Sequence, residues 1–309
     1  MPVKLAASSD NAASMKPGLL YALLAFGTWG LIPLYLHRVG SVPPLELVLH
    51  RSTWSLLLMV LVLTLLRRWA WLVAMWRQPR QLLPFACSAL LLTANWLVYV
   101  YAVGSGQVLE ASLGYFINPL VSVLLGVGLL HERLRRVQWL AVALAAAGVV
   151  WLTLHAGRPP WVALMLAFSF GFYGLIRKTG RLGALEGLTL ETLLLAPLVL
   201  PALLWLTLAP GGAMARGDWA LNGWLWMSGP ITALPLLCFA AAARRLPLAT
   251  LGLMQYLSPT LQFVLGVWIF HEPLQPAQLL GFVFIWGGLA LYSGEALYRA
   301  SRAASAATA

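Results

Sequence analysis

The sequence contains very few charged residues, and acidic residues are the scarcest. Only 9% of its 309 residues are charged, with 20 Lys and Arg against nine Asp and Glu, whereas about 25% of a soluble domain is charged. Because 61% of the residues are hydrophobic, a soluble fold could not cover its surface with polar groups. The scarcity of charge therefore excludes a soluble globular domain and predicts an all-α integral membrane protein.

Cysteine and the usual catalytic motifs are also nearly absent. Cys87 and Cys238 both lie inside apolar runs, which predicts neither a disulfide framework nor a metal site. No G-x-x-x-x-G-K-[ST] phosphate loop occurs, and the two His-Glu pairs lack the second histidine of H-E-x-x-H, since Arg135 and Gln275 occupy that position. We therefore predict no metal, no cofactor and no enzymatic activity, and a transport energy source other than ATP.

Long apolar runs fill the chain from residue 17 onward. Each is close to the ~20 residues that a helix needs to cross a hydrocarbon core of about 30 Å. They predict ten spanning helices, at 17–36, 45–66, 82–103, 108–130, 137–155, 160–176, 187–208, 220–243, 248–270 and 276–296. The longest connection, 67–81, combines tryptophans with arginines and is predicted to lie at the membrane interface.

The positive residues indicate how the helices are oriented. With the N-terminus in the cytoplasm, only Arg38, Arg158 and Arg216 fall outside and Arg51 lies within a helix; the other sixteen Lys and Arg residues are cytoplasmic. This bias follows the positive-inside rule and predicts that both termini are cytoplasmic. Membrane topology and attraction to anionic lipid headgroups account for the net charge of +11. The charge is therefore no argument for nucleic acid as a partner.

A repeated hexapeptide shows that the chain is built from two related halves. HERLRR at 131–136 returns as HEPLQP at 271–276, and ASLG at 111–114 returns as ATLG at 249–252. The second hexapeptide lacks the arginines because, after five helices, the repeat enters the membrane in the opposite direction. The prediction is two inverted five-helix repeats, which is typical of transporters. The predicted division is a tail at 1–16, repeats at 17–156 and 157–298, and a tail at 299–309.

Several stretches resemble one family of transporters. They include LEASLGYFINPLVSVLLG at 109–126, ETLLLAP at 191–197 and PLLCFAAAARRLPLATLGLMQYLSPT at 235–260. The chain, apart from its tails, resembles the RarD branch of the EamA-type exporters in the drug/metabolite transporter superfamily. The resemblance implies an inner-membrane permease with cytoplasmic termini. It implies no settled substrate, although the branch takes its name from a proposed link to chloramphenicol sensitivity.

Polar and aromatic groups inside the helices are the candidates for a substrate site. Pro119 in the fourth helix and Pro259 in the ninth are predicted to kink two symmetry-related helices around a central cavity. Packing alone is the alternative explanation for such aromatics and prolines. The predicted cavity-lining residues are Trp29, His50, Arg51, Asn95, Tyr99, Tyr115, Asn118, Tyr173, Gln255 and Tyr256.

Two acidic residues are the candidates for proton coupling. Glu191 lies about one turn into the seventh helix from the cytoplasm; the alternative is a Glu paired with Arg177 or Lys178. Glu46 lies four residues from His50 at the outer end of the second helix, where the alternatives are a structural ion cluster and an outer gate or anchor. Because charge inside a membrane is costly, both acids are expected to face a cavity or a partner.

The sequence thus predicts a secondary transporter that exports small metabolites or drugs by alternating access. The expected solutes are amino-acid-like, amphipathic or aromatic, with chloramphenicol-related compounds among them. A passive facilitator, a lipid scramblase and an intramembrane enzyme are the alternatives. The fifth and tenth helices are rich in Ala and Gly and are predicted to pack at the periphery or in a homodimer contact.

Overall fold

The structure is a computed structural model, and it describes residues 3–105, 108–156, 160–208, 212–216, 218–271 and 276–308. Most of the second hexapeptide, Glu272 to Gln275, lies outside these residues, as do Arg158 and the predicted start of the second repeat at residue 157. The described part of the chain is helical and contains no strand.

The described residues form twelve α-helices. Their bounds are α1 Val3–Arg38, α2 Pro44–Leu65, α3 Ala70–Trp76, α4 Leu82–Gly104, α5 Val108–Gly128, α6 Arg136–Ala156, α7 Trp161–Thr179, α8 Ala184–Leu208, α9 Trp219–Ala243, α10 Leu248–Met254, α11 Leu257–Trp268 and α12 Pro276–Thr308. Two short 3-10 helices, Pro79–Gln81 and Met214–Arg216, lie in connections.

Seven of these helices are long and apolar enough to cross a membrane by length and composition, within the part of the chain that is described. They are α2, α4, α6, α7, α8, α9 and the Met15–Arg38 part of α1. Shorter apolar helices lie within α5, at Leu113–Gly128, and within α12, at Leu279–Glu295. The predicted ninth helix is divided into α10 and α11, so the count of ten spans stays a prediction.

The ends of the helices follow from local sequence. Pro44 opens α2 at a position where the backbone amide would have no partner in any case. The Asp218 carboxylate accepts hydrogen bonds from the amides of Ala220 and Leu221 and caps α9. The first and last helices extend beyond the predicted spans, to Val3 and Thr308, through alanine-rich sequence that favours helix.

The helices pack mainly between the two halves of the chain. Helix α9 packs on α1 and α2, α7 packs on α4 and α5, α11 packs on α1, and α10 packs on α5. Helices α6 and α12 pack on each other, so the alanine- and glycine-rich faces that suggested a peripheral or dimer contact meet within one chain. A homodimer through these helices stays a prediction.

The helix connections gather at two ends of the molecule. At one end, Arg68 forms an ion pair with Glu186, and Arg244 donates to the carbonyls of Gly180 and Leu182. We call this the arginine-rich end. At the opposite end, which we call the α1–α2 end, the Glu46 carboxylate of α2 accepts a hydrogen bond from the amide of Ala213.

Candidate functional site

A cavity of about 340 Å³ lies among the described helices. It begins at mid-helix residues such as Asn95 and Leu236 and reaches Val39, Gly40 and Val42 in the α1–α2 connection. Its walls come from both halves of the chain. Seven of the predicted residues line it: Trp29, Arg51, Asn95, Tyr99, Tyr115, Asn118 and Gln255.

Aromatic side chains close the cavity toward the arginine-rich end. Trp29 and Phe170 line the cavity, with ring centroids 5.5 Å apart. Behind them, Phe239 packs against Trp29, Phe170 and Phe26. Tyr173 stacks on Phe239 at 5.9 Å and is fully buried. The aromatic layer therefore separates the cavity from the arginine-rich end.

Arg51 is the only charged residue among those that line the cavity in the described part of the chain. Its Nε donates to Thr232 Oγ1 at 2.8 Å, and its guanidinium carbon lies 4.9 Å from the centroid of the Trp96 ring. The hydroxyls of Tyr99 and Tyr115 lie within electrostatic range of the guanidinium. Arg51 forms no ion pair with any described residue.

The amides that line the cavity differ in their hydrogen bonds. Asn95 Nδ2 donates to Leu166 O and to Ser169 Oγ, both at 2.9 Å, and Gln262 Nε2 donates to Trp29 O at 3.0 Å. By contrast, Asn118 Oδ1 is buried and has no partner among the described residues. Asn118 therefore lines the cavity with an amide whose oxygen is not held by a hydrogen bond to a described residue.

Gln255 reaches the cavity because the helix breaks there. Pro259 has no amide hydrogen to donate to the carbonyl four residues earlier, which is that of Gln255. That carbonyl instead accepts from the amide of Ser258 at 3.1 Å. The chain therefore breaks between α10 and α11, four residues before Pro259. Pro119 lies inside α5, which continues through it as one helix.

Three predicted lining residues lie outside the cavity. Tyr256 is fully buried, and its hydroxyl donates to Phe116 O. His50 is also fully buried, on the face of α2 that turns toward Trp54 and Glu46; its Nδ1 accepts from Trp54 Nε1. Tyr173 belongs to the aromatic layer described above. Each of these three side chains therefore packs against other groups in the protein interior and does not reach the cavity.

Glu46 contributes to structure at the α1–α2 end. Its carboxylate holds the amide of Ala213 at 2.7 Å and lies 3.9 Å from His50 Nε2. These contacts join α2 to the connection before α9, which agrees with the structural ion cluster considered as an alternative for this group.

Glu191 pairs with Arg177 in the interior, as the alternative for that residue expected. Arg177 Nη1 lies 3.4 Å from Glu191 Oε1, and both side chains are only 1% exposed. Ser88 Oγ donates to the same oxygen at 2.6 Å, and Arg177 Nη2 also donates to Ala184 O. Glu191 Oε2 has no partner among the described residues.

A small void lies beside Glu191, next to the lining of the main cavity. It measures about 20 Å³ and is lined by Glu191 and by several hydroxyls, including those of Thr192 and Thr232. It shares Leu92, Trp96 and Leu236 with the lining of the main cavity. Thr232, which accepts the hydrogen bond from Arg51, is therefore also among the residues around the void beside Glu191.

Glu132 joins the two halves at the arginine-rich end. Its carboxylate accepts from the amides of Leu248 and Ala249, the first residues of α10, at 2.6 and 2.9 Å. It also lies 3.7 Å from Lys178 Nζ. A Cβ added at Gly126 would lie 2.6 Å from this carboxylate. The Glu132 carboxylate fits here because Gly126 has no side chain.

Trp96, Phe170, Ser258 and Thr232 contribute to the site without having been predicted as site residues. Trp96 and Phe170 could have been found by their three-residue spacing from the predicted residues Tyr99 and Tyr173 on the same helices. Thr232 gives no such signal, because a lone hydroxyl inside an apolar run usually bonds to its own helix.

A cavity enclosed by apolar helices is typical of membrane transporters, and sequence comparison agrees with this class. The model of the EamA-like transporter family matches residues 16–154 and 159–294. The chain belongs to the EamA-like transporter family. Its relatives assign it to the RarD branch of that family.

Two relatives and one solved structure illustrate the match. An uncharacterized transporter of Pseudomonas aeruginosa is 46% identical over 92% of this chain and 95% of its own. Protein RarD of Streptomyces exfoliatus is 45% identical over 93% of this chain and 91% of its own. A crystal structure with 21% identity has a TM-score of 0.65 over 89% of this chain and 96% of its own, and shares the fold. The relatives are transporters and not enzymes.

Proposed function

We propose that this protein is a secondary transporter of the plasma membrane that exports small metabolites or drugs by alternating access. The observation that carries the proposal is the cavity of about 340 Å³, which reaches the α1–α2 end and is closed toward the arginine-rich end. Its volume suits a small organic solute.

We propose that the fold consists of ten spanning helices arranged as two inverted repeats. The packing supports this proposal because contacts between the halves have a counterpart when the two halves are exchanged. The contact of α1 with α9 corresponds to that of α7 with α4, and the contact of α5 with α7 corresponds to that of α11 with α1. His131 and His271 provide a second argument, since both have a positive φ, of 53° and 54°. The two separate family matches, one to each half, provide a third.

The proposed orientation places the arginine-rich end in the cytoplasm together with both termini. The charge bias of the sequence supports it. In this orientation the cavity faces outward, so the structure corresponds to the state that releases an exported solute. To accept the next solute, the protein must open the aromatic layer and the contacts at the arginine-rich end. The same motion must close the α1–α2 end.

Proton exchange is the proposed energy source, with Glu191 as the coupling residue. The position of Glu191 beside the void supports this role, because its Oε2 makes no hydrogen bond to a described residue and can carry a proton. The ion pair with Arg177 favours the second candidate, a passive facilitator, in which Glu191 only holds α7 to α8. Dependence of transport on a pH gradient separates the two candidates.

The proposal is tested with purified protein in liposomes. We expect counterflow of at least one labelled solute from a panel of amino acids, nucleosides and phenicols, and faster accumulation when a proton gradient is imposed. Counterflow without any effect of the gradient would identify a facilitator. Exchange of fluorescent lipid between leaflets, with no solute counterflow, would identify a scramblase and refute the proposal.

A further inference from the structure

Arg51 differs from the other basic residues that contact the interior. Arg177, Lys178 and Arg68 each lie within 4 Å of a carboxylate, from Glu191, Glu132 and Glu186 respectively. Arg51 lines the cavity without any carboxylate beside it among the described residues. Glu46, five residues earlier on α2, already accepts a hydrogen bond from the amide of Ala213 and lies 3.9 Å from His50 Nε2.

An unpaired cation inside a membrane protein is costly, and such residues usually pair or mark a substrate pathway. The contacts of Arg51 orient its guanidinium without neutralising its charge. Nε donates to the neutral hydroxyl of Thr232, and one face of the group lies over Trp96. The Nη atoms make no hydrogen bond to a described residue. The planar fork of an arginine is well suited to binding a carboxylate through two parallel hydrogen bonds.

The rest of the cavity indicates what the remainder of the ligand is like. Tyr99 and Tyr115 line the same cavity within electrostatic range of the guanidinium, and their hydroxyls can donate to an anion. Trp29 and Phe170 form an aromatic floor. Since a single positive charge is present, a group with one negative charge would be neutralised, whereas a dianionic phosphate would leave an excess charge buried.

We propose that the substrate site binds small monocarboxylates with an apolar or aromatic body, and that Arg51 binds the carboxylate. This inference rests on the proposed transport function, because it assigns the cavity to the transported solute. The carboxylate lies against Arg51, Tyr99 and Tyr115, and the apolar body lies on Trp29 and Phe170. Asn118 and Gln255 line the same cavity and supply neutral polar groups to the remainder of the molecule.

The test compares acids with their uncharged amides. Binding of benzoate, phenylacetate and cinnamate, and of the three corresponding amides, is measured by calorimetry on the detergent-purified full chain. A hydrogen-bonded charge pair predicts about ten- to hundredfold tighter binding of at least one acid than of its amide. Arg51→Gln should lose that preference while binding the amide as the wild type does.

The control and a second variant keep the result interpretable. Arg245→Gln removes an arginine that also lies over an aromatic ring, that of Tyr21, but at the arginine-rich end, and it should bind like the wild type. Arg51→Lys keeps the charge and should retain part of the preference. If Arg51→Gln fails to fold, the comparison of acid and amide on the wild type still decides: equal binding of the two, or no binding of any acid, overturns the proposal.

Counterflow of the same compounds in liposomes separates the two proposals. Binding of an acid without counterflow of any solute would refute transport and keep the anion site. Counterflow of the acids that Arg51→Gln leaves unchanged would support transport and overturn the anion site.

Discussion

Two asparagines line the same cavity but differ at the level of single atoms. Asn95 is tied to α7 by two hydrogen bonds, to Leu166 O and Ser169 Oγ. Asn118 is 4% exposed and has an acceptor oxygen with no partner among the described residues. The first amide is therefore suited to holding helices together, whereas the second lines the cavity without a hydrogen bond that fixes its oxygen.

We predict that Asn118→Ala and Gln255→Ala each lower transport while leaving thermal stability in detergent nearly unchanged. The reason is that these substitutions remove groups that face the cavity. Asn95→Ala is the matched control: it should lower stability by about 1 kcal/mol, since interhelical hydrogen bonds in membranes are worth about 0.6–2 kcal/mol. A loss of folded Asn118→Ala protein in proportion to its lost transport would contradict this prediction.

The ion pair of Arg177 and Glu191 combines a structural contact with the proposed proton site. Arg177 is surrounded by protein so closely that a Cβ added at Gly187 would overlap its guanidinium. Removing one member of a buried pair leaves the other charge uncompensated, which costs about 3–5 kcal/mol. A single substitution at Glu191 therefore affects both stability and coupling.

We predict that Glu191→Gln abolishes accumulation driven by a pH gradient in inside-out vesicles but preserves counterflow, which needs no net proton movement. The double variant Arg177→Gln/Glu191→Gln removes both charges and should recover more than half of the lost stability. It should still fail to accumulate solute under the gradient. Accumulation by the double variant as strong as in the wild type would exclude Glu191 as the coupling site.

At the scale of whole elements, the pairing of α6 with α12 depends on small residues. A Cβ at Gly288 would lie 2.6 Å from the carbonyl oxygen of Ala141, and one at Gly148 would lie 2.6 Å from that of Gly281. The two backbones approach this closely because these glycines have no side chain, as in other membrane helix pairs. A Cβ added at the neighbouring Gly287 would have no atom of another helix within 4 Å.

We predict that Gly288→Ala destabilises the protein by about 1–3 kcal/mol, since overpacking forces the two helices apart. Gly287→Ala, one position away on the same helix, should be neutral or stabilising by up to about 1 kcal/mol through the higher helix propensity of alanine. Thermal unfolding of both variants in the same detergent checks the difference. Equal stabilities would mean that α6 and α12 are not packed at this distance.

The sequence predicts the helices well because the membrane thickness sets their length. The predicted spans over 45–66, 82–103 and 220–243 agree within a few residues with α2, α4 and α9. The break in the predicted ninth helix falls at Gln255 and Tyr256, because a proline disturbs the turn that precedes it. The locations of Tyr173 and Tyr256 could not be predicted. Which way a side chain faces depends on partners such as Phe239 and Phe116 from the other parts of the chain.

At the scale of the whole molecule, the two ends differ in chemistry. The arginine-rich end combines ion pairs with arginine-to-carbonyl hydrogen bonds. The α1–α2 end contains the mouth of the cavity and the contact of Glu46 with Ala213. This asymmetry matches the difference in charge between the two hexapeptides, since only the first contains arginines.

We predict that a reporter fused after Arg136 reports the cytoplasm and that one fused after Gln275 reports the outside. The positive-inside rule requires this result if each repeat contains five spans. Pairing a reporter that is active only inside with one that is active only outside gives complementary signals at each site. The same side at both positions would rule out the inverted repeat and, with it, the proposed mechanism.

Glu132 of the first half caps α10 of the second half, and this has a consequence for biosynthesis. Residue 132 has left the ribosome well before residue 248, so the carboxylate is already available when the first turn of α10 is made. A second half synthesised alone would present the amides of Leu248 and Ala249 without that acceptor. The first half thus supplies the acceptor for the first turn of α10 in the second half. The order of synthesis is accordingly part of how the two halves come together.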